Sequence, residues 1–216
     1  MRQAITKSLN IATIKLAEKV GYDRVAELAQ RLGLNEKIKP YPAMAIGSFE
    51  ITPLEMVRAY TAFANGGLLS DLNAVLRVYD NDSIPVYIAQ PKSKQVLTPQ
   101  IAFLVTSLLQ SVIDHGTGYG ARQRGFILPA AGKTGTSHDG WFAGYTPELL
   151  CIVWVGFDDN RELILSGSQS ALPIWTEFMK KATSLRPLRG EGFSFPEDVV
   201  QVEIDPTTGL LATEQC

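Results

Sequence analysis

The chain has 216 residues, 45% hydrophobic and 19% charged, and its 20 Lys and Arg against 22 Asp and Glu leave a net charge of −2. That balance excludes a disordered segment and offers no basic footprint for nucleic acid, while the length suits one medium domain with a full core. The 2 cysteines and 2 histidines exclude a disulfide scaffold and a His-rich metal site, and no run reaches the ~20 apolar residues of a membrane span.

The first third reads as helical. Asn10 is a candidate N-cap for a helix with apolar positions Ile11, Ile14, Leu16 and Ala17, stopped by Gly21. Asp23 is a second candidate cap, ahead of Val25, Leu28, Ala29 and Leu32 and a stop at Gly33. Thr52-Pro53-Leu54-Glu55 is a stronger signal: a capping threonine, proline at the first helical position, and a glutamate placed to close a capping box. Its apolar face runs through Val57, Tyr60 and Phe63 to a stop at Gly66-Gly67. Two β-like runs follow, 74–79 and 85–88, split by the turn residues Asp80-Asn81-Asp82-Ser83. Thr98-Pro99 opens an amphipathic helix with Ile101, Leu104, Val105, Leu108, Leu109 and Val112, ended near Gly116.

After residue 130 the period changes. Segments 133–137, 141–145 and 149–157 are joined by tight polar turns, which predicts antiparallel hairpins with Lys133 on an edge strand. The third segment is apolar throughout and is expected to be covered on both faces. Pro173 opens a last helix, through Lys181, that can cover one face. Helices, a hairpin-connected sheet and a closing helix predict an α+β domain, an antiparallel sheet packed against helices.

Several motifs fail on context. Gly116-Thr117-Gly118-Tyr119-Gly120-Ala121 has dinucleotide-loop spacing but leaves a helix rather than a strand, so it reads as a flexible glycine loop. Asp158-Asp159 reads as a solvated turn, and no metal is implied. Lys133-Thr134-Gly135-Thr136-Ser137 offers more. Its ammonium sets a positive field, its hydroxyls can hold a carboxylate, and Gly135 lets a substrate approach exposed backbone N–H groups. The competing reading is an edge strand with a solubilising lysine. Ser8-Leu9-Asn10 adds a hydroxyl and an amide at a helix entry. Together they match, in order, two of the three pieces of the serine β-lactamase and penicillin-binding set S-x-x-K, S-D-N and K-T-G.

With these motifs in place, the chain resembles the transpeptidase domain of class A penicillin-binding proteins. The resemblance also takes in Ala45-Ile46-Gly47, Phe63-Ala64-Asn65-Gly66-Gly67, Gly116-Thr117-Gly118, Asp139-Gly140-Trp141-Phe142-Ala143-Gly144-Tyr145, Val153-Trp154-Val155-Gly156-Phe157-Asp158 and Pro173-Ile174-Trp175. It implies a β-lactamase/D,D-peptidase-like fold and serine acyl transfer on peptidoglycan stem peptides ending in D-Ala–D-Ala, without a cofactor. β-Lactam antibiotics would be further ligands. By resemblance Ser8 relays a proton, Asn10 holds the donor peptide, and Lys133 tunes Ser8 and attracts the substrate carboxylate. Thr134 and Thr136 bind that carboxylate, Gly135 and Ser137 belong to the same substrate-binding strand, and the Thr136 N–H forms half of an oxyanion hole. The full-length protein is expected to be membrane-anchored, on the extracytoplasmic side.

None of the lysines has a serine three residues before it, so the S-x-x-K motif is not in these residues. The chain is therefore expected to be an N-terminally truncated piece, inactive alone, with residues 1–185 from the transpeptidase domain and 186–216 from a C-terminal extension. The alternatives are a D,D-carboxypeptidase or serine β-lactamase, in which water replaces the acceptor amine, and a non-catalytic remnant.

Overall fold

A computed structural model describes residues 1–34, 37–187, 192–205 and 208–212. The helices are α1 (Arg2–Thr6), α2 (Asn10–Val20), α3 (Tyr22–Arg31), α4 (Pro53–Ala64), α5 (Pro99–His115), α6 (Gly120–Gln123) and α7 (Ala171–Leu185). The strands are β1 (Leu68–Ser70), β2 (Arg77–Tyr79), β3 (Pro85–Ile88), β4 (Ser93–Gln95), β5 (Ala131–Thr136), β6 (Gly140–Tyr145) and β7 (Leu150–Val155). Two small antiparallel pairs, β1 with β4 and β2 with β3, stand apart from a three-stranded antiparallel sheet of order β5-β6-β7.

The strong local signals form what they promise. Thr52 caps α4 in a full capping box, its side chain accepting from the Glu55 N–H while the Glu55 carboxylate accepts from the Thr52 N–H. Thr98 caps α5 by accepting from the Ile101 N–H at 3.3 Å. The hairpin turn after β6 is closed by Thr146, whose hydroxyl accepts from the Leu149 N–H at 3.1 Å.

Three local expectations are corrected. Asn10 and Asp23 are not caps: Leu9 and Gly21 hold those positions, and the two polar residues lie in the first helical turns. The apolar stripe of α2 is shallow, with Ala17 buried and Ile11 and Leu16 exposed. The first β-like run pairs over Arg77–Tyr79 rather than from residue 74. Of the C-terminal extension expected over 186–216, residues 188–191, 206–207 and 213–216 lie outside the described residues.

Alternation along β5 to β7 divides the sheet into two faces. Ala131, Lys133 and Gly135 share one with Tyr145, Ala143 and Trp141 of β6. On this face Tyr145 meets Tyr60 of α4 edge-on and shares a 2.8 Å hydrogen bond with Thr106 of α5. The other face belongs to α7. Trp175, fully buried, packs edge-on against Phe142 at 4.9 Å and donates its indole N–H to the Gly144 and Cys151 carbonyls. Gly144 is required there, because a Cβ would run into the Trp175 ring. α4 and α7 thus flank β7 from opposite sides, as its apolar run predicts, although the strand is half-buried and Trp154 is exposed because β7 ends the sheet.

Candidate active site

The short helix α1 delivers Ser8. Its last turn closes with two reversed hydrogen bonds, from the Ser8 N–H to the Ile5 carbonyl at 3.2 Å and from the Leu9 N–H to the Ala4 carbonyl at 2.8 Å. This is a Schellman ending, whose residue just past the C-cap takes the left-handed conformation that glycine usually occupies. In this chain that residue is Ser8, with φ 55°. The reversal turns the serine out of the helix and starts α2 two residues later. Arg2 fastens α1 to α5 by donating to Ser107 and Ser111.

β5 delivers Lys133 to the same place. Its Nζ donates to the Ser8 Oγ at 2.9 Å and to the Thr134 carbonyl at 2.9 Å, bridging residues 125 positions apart. Burial lowers the Lys133 amine from its ordinary value to about 8. The group is therefore mostly cationic at pH 7 yet within reach of deprotonation. Holding a serine in the left-handed region costs on the order of 1 kcal/mol that glycine does not pay. Ser8→Gly is expected to be more stable than Ser8→Ala by about that amount in urea unfolding. An alanine variant as stable as the glycine variant would show that Ser8 does not hold this conformation.

Thr134 and Thr136 alternate with Lys133 along β5, and the Lys133 Nζ reaches the Thr134 hydroxyl at 3.5 Å. The Thr134 hydroxyl meets the Thr117 hydroxyl at 2.6 Å, and the Thr136 hydroxyl accepts from the Gly167 N–H at 2.9 Å. Ser137 is exposed at the strand end, its N–H bonded to the Asp139 carbonyl. Asn10 is exposed on the first turn of α2, two residues from Ser8, and its side chain makes no hydrogen bond to Ser8 or Lys133. The structure thus joins Ser8 to Lys133 and keeps Asn10 nearby without contact.

A groove of about 760 Å³ opens beside this cluster, lined by residues 133–139, residues 46–53, Met56, Tyr60, Trp141, Ala143 and Trp154. Trp154 is pinned at its end by donating from its indole N–H to Asp139 at 2.7 Å. No group of three metal-ligating side chains occurs among the described residues, and none of their helices is long and apolar enough to cross a membrane.

Sequence reasoning missed Thr117. The reading of 116–121 as a flexible glycine loop is corrected: Gly116 and Gly118 donate their N–H groups to the Val112 carbonyl, and the Thr117 N–H bonds to the Thr6 carbonyl at the end of α1. A Cβ on Gly116 would overlap that Thr6 carbonyl, so the glycine permits a close approach of two backbones. The available signal was the hydroxyl between two glycines in Gly116-Thr117-Gly118.

The model of the penicillin binding protein transpeptidase domain matches residues 1–180. The chain belongs to that transpeptidase family. The domain is 35% identical to penicillin-binding protein 1A of Aquifex aeolicus over all of this chain and 30% of that protein. Its structure superposes on crystalline penicillin-binding protein 1A from Haemophilus influenzae with a TM-score of 0.90 at 31% identity, covering 98% of this chain and 38% of the other. The PonA1 protein from Mycobacterium tuberculosis in complex with penicillin V shares the fold at TM-score 0.78 and 24% identity, covering 92% and 60%. The α+β β-lactamase/transpeptidase fold expected from the sequence is the one observed. This transpeptidase chain spans about 30% of the length of its curated relative from Aquifex aeolicus.

Proposed function

We propose that this chain supplies the substrate-holding and proton-relay part of a serine-type D,D-transpeptidase site that cross-links peptidoglycan stem peptides. The observation that carries this reading is the 2.9 Å hydrogen bond from Lys133 to Ser8. It joins a cation and a hydroxyl 125 residues apart in sequence at the rim of a groove. In this reading the Lys133 ammonium attracts the C-terminal carboxylate of a D-alanyl-D-alanine peptide, and the Thr134 and Thr136 hydroxyls hold it. Gly135 keeps the strand edge open, Ser137 lines the far end, and the Asn10 amide meets the donor peptide backbone. The Thr136 N–H points to the carbonyl oxygen that becomes negative in the transition state.

Ser8 then acts as a relay. Its hydroxyl, hydrogen-bonded to Lys133, passes a proton to the departing D-alanine amine and recovers one from the incoming acceptor amine. The attacking hydroxyl belongs to the family's S-x-x-K motif, which these 216 residues do not contain. β-Lactams occupy the same groove because they present a carboxylate beside an amide-like carbonyl. The reaction belongs on the extracytoplasmic face of a bacterial membrane, where its cross-linked product lies.

The test is stereochemical. Titrated with an N-acylated D-Ala–D-Ala peptide in a calorimeter, the full 216-residue chain is expected to bind it at least ~10-fold more tightly than the L,L peptide, a difference of about 1.4 kcal/mol. Equal affinity for the two peptides would reject the substrate assignment.

A further inference from the structure

A threonine hydroxyl has one proton to donate and can accept two. Its direction of donation is therefore set by what stands behind it. Thr136 accepts from the Gly167 N–H at 2.9 Å, which leaves its own proton free to point elsewhere. Thr134 has a comparable neighbour in Thr117. Their hydroxyl oxygens are 2.6 Å apart, and among the described residues Thr134 is the one hydrogen-bond partner of the Thr117 hydroxyl. The bond can run either way. The Lys133 Nζ also donates to the Thr134 oxygen at 3.5 Å, so a carboxylate in the groove that Thr134 lines selects the arrangement in which Thr117 donates and the Thr134 proton faces the groove.

The Thr117 backbone is tightly held. Its N–H bonds to the Thr6 carbonyl at 3.2 Å, and Gly116 and Gly118 are tied to Val112 at 3.1 and 3.0 Å. That loop is also where the end of α1, and so Ser8, is fixed. One rigid turn thereby sets both the relay serine and a carboxylate donor.

We infer that Thr117 is a positioning residue: its hydroxyl, donating from behind, makes Thr134 a hydrogen-bond donor aimed at the terminal carboxylate of the substrate. Thr117 does not touch the substrate. The inference rests on the proposed D-alanyl-D-alanine peptide as ligand.

The readout is the preference for a free carboxylate. The full chain and the variants Thr117→Val and Thr117→Ser are each titrated with an N-acylated D-Ala–D-Ala peptide and with its C-terminal amide. Wild type is expected to favour the acid. Thr117→Val, similar in shape but without the hydroxyl, should lose about 10-fold of that preference, the scale of one hydrogen bond to a charged group. Its affinity for the amide should not change, and Thr117→Ser should keep the preference. A valine variant with undiminished acid preference overturns the inference and leaves the proposed function standing. Parallel loss of acid and amide binding also overturns it, since that marks a merely structural role. A wild-type chain indifferent to the carboxylate refutes the inference and the proposed function together.

Discussion

The purified 216-residue chain is expected to leave a fluorescent penicillin unreacted at pH 7, with no label retained after denaturation. Acylation needs a hydroxyl whose proton is taken by an adjacent base as it attacks. Ser8 is the hydroxyl beside a lysine, but that lysine titrates at about 8, so near pH 7 it is mainly an ammonium donating to Ser8 at 2.9 Å. A donor beside the oxygen lowers its nucleophilicity, which suits a relay and not an attacking group. Removing a nucleophile while keeping the surrounding binding groups costs on the order of 10⁶ in rate in a serine hydrolase. Labelling should therefore fall below detection, while reversible binding through Asn10, Lys133 and Thr136 persists. A longer form carrying an upstream S-x-x-K should label, and Lys133→Ala in it should slow that labelling. A stable adduct mapped to Ser8, above all one growing as pH rises through 8, would make Ser8 and Lys133 a self-sufficient pair and overturn the relay assignment.

Lys133→Met is expected to have two effects of opposite sense. Binding of the acid peptide should fall by ~10-fold or more, because a hydrogen-bonded charge contributes about 1.5–3 kcal/mol. In the wild type the same loss should appear with pH: full affinity below 8, where the amine is cationic, and a decline above it. Stability should move the other way. Burial lowers the folded-state value to about 8 from 10.5, so between these two values the unfolded chain binds more protons. Stability then rises with pH across that window, and at pH 7 the lysine carries the full penalty. At 1.36 kcal/mol per unit the penalty is on the order of 3 kcal/mol, so the methionine variant should be the more stable at neutral pH. Urea unfolding at pH 7 and pH 10 checks the sign. A methionine variant less stable than wild type at pH 7 would show that the contact with Ser8 more than compensates the buried charge.

Much of this molecule is decided within a few residues along the chain. The capping box at Thr52 to Glu55, the Thr98-Pro99 helix start, and the polar turns after β5 and β6 are local arrangements of hydrogen bonds. Each is satisfied by neighbours in sequence, so it is legible there. The tight turns between the three strands likewise set the order β5-β6-β7, which places Lys133 on an edge strand without reference to any distant contact. The caps at Asn10 and Asp23 failed for a corresponding reason. A capping side chain is plausible at any helix entry, but the turn left by the end of α1 moved one boundary to Leu9, and Gly21 took the other. The family itself was legible from ordered motifs spread along the chain, and the match over residues 1–180 agrees with it.

The tertiary structure decided what no window of sequence contains. Ser8 meets Lys133 because a Schellman ending turns the chain outward at φ 55° and because α1 is fastened to α5, which packs on β5. The depressed titration of Lys133 is a property of burial, which only the folded chain creates. In sequence Thr117 belongs to a loose glycine loop; in the fold Gly116 presses against the Thr6 carbonyl and the threonine hydroxyl lies on Thr134. Residue types and their order along the strand name the chemistry available. Which hydroxyl donates, which amine is desolvated and which serine faces it depend on groups brought within 3 Å from 17 to 125 residues away, and packing alone sets those distances.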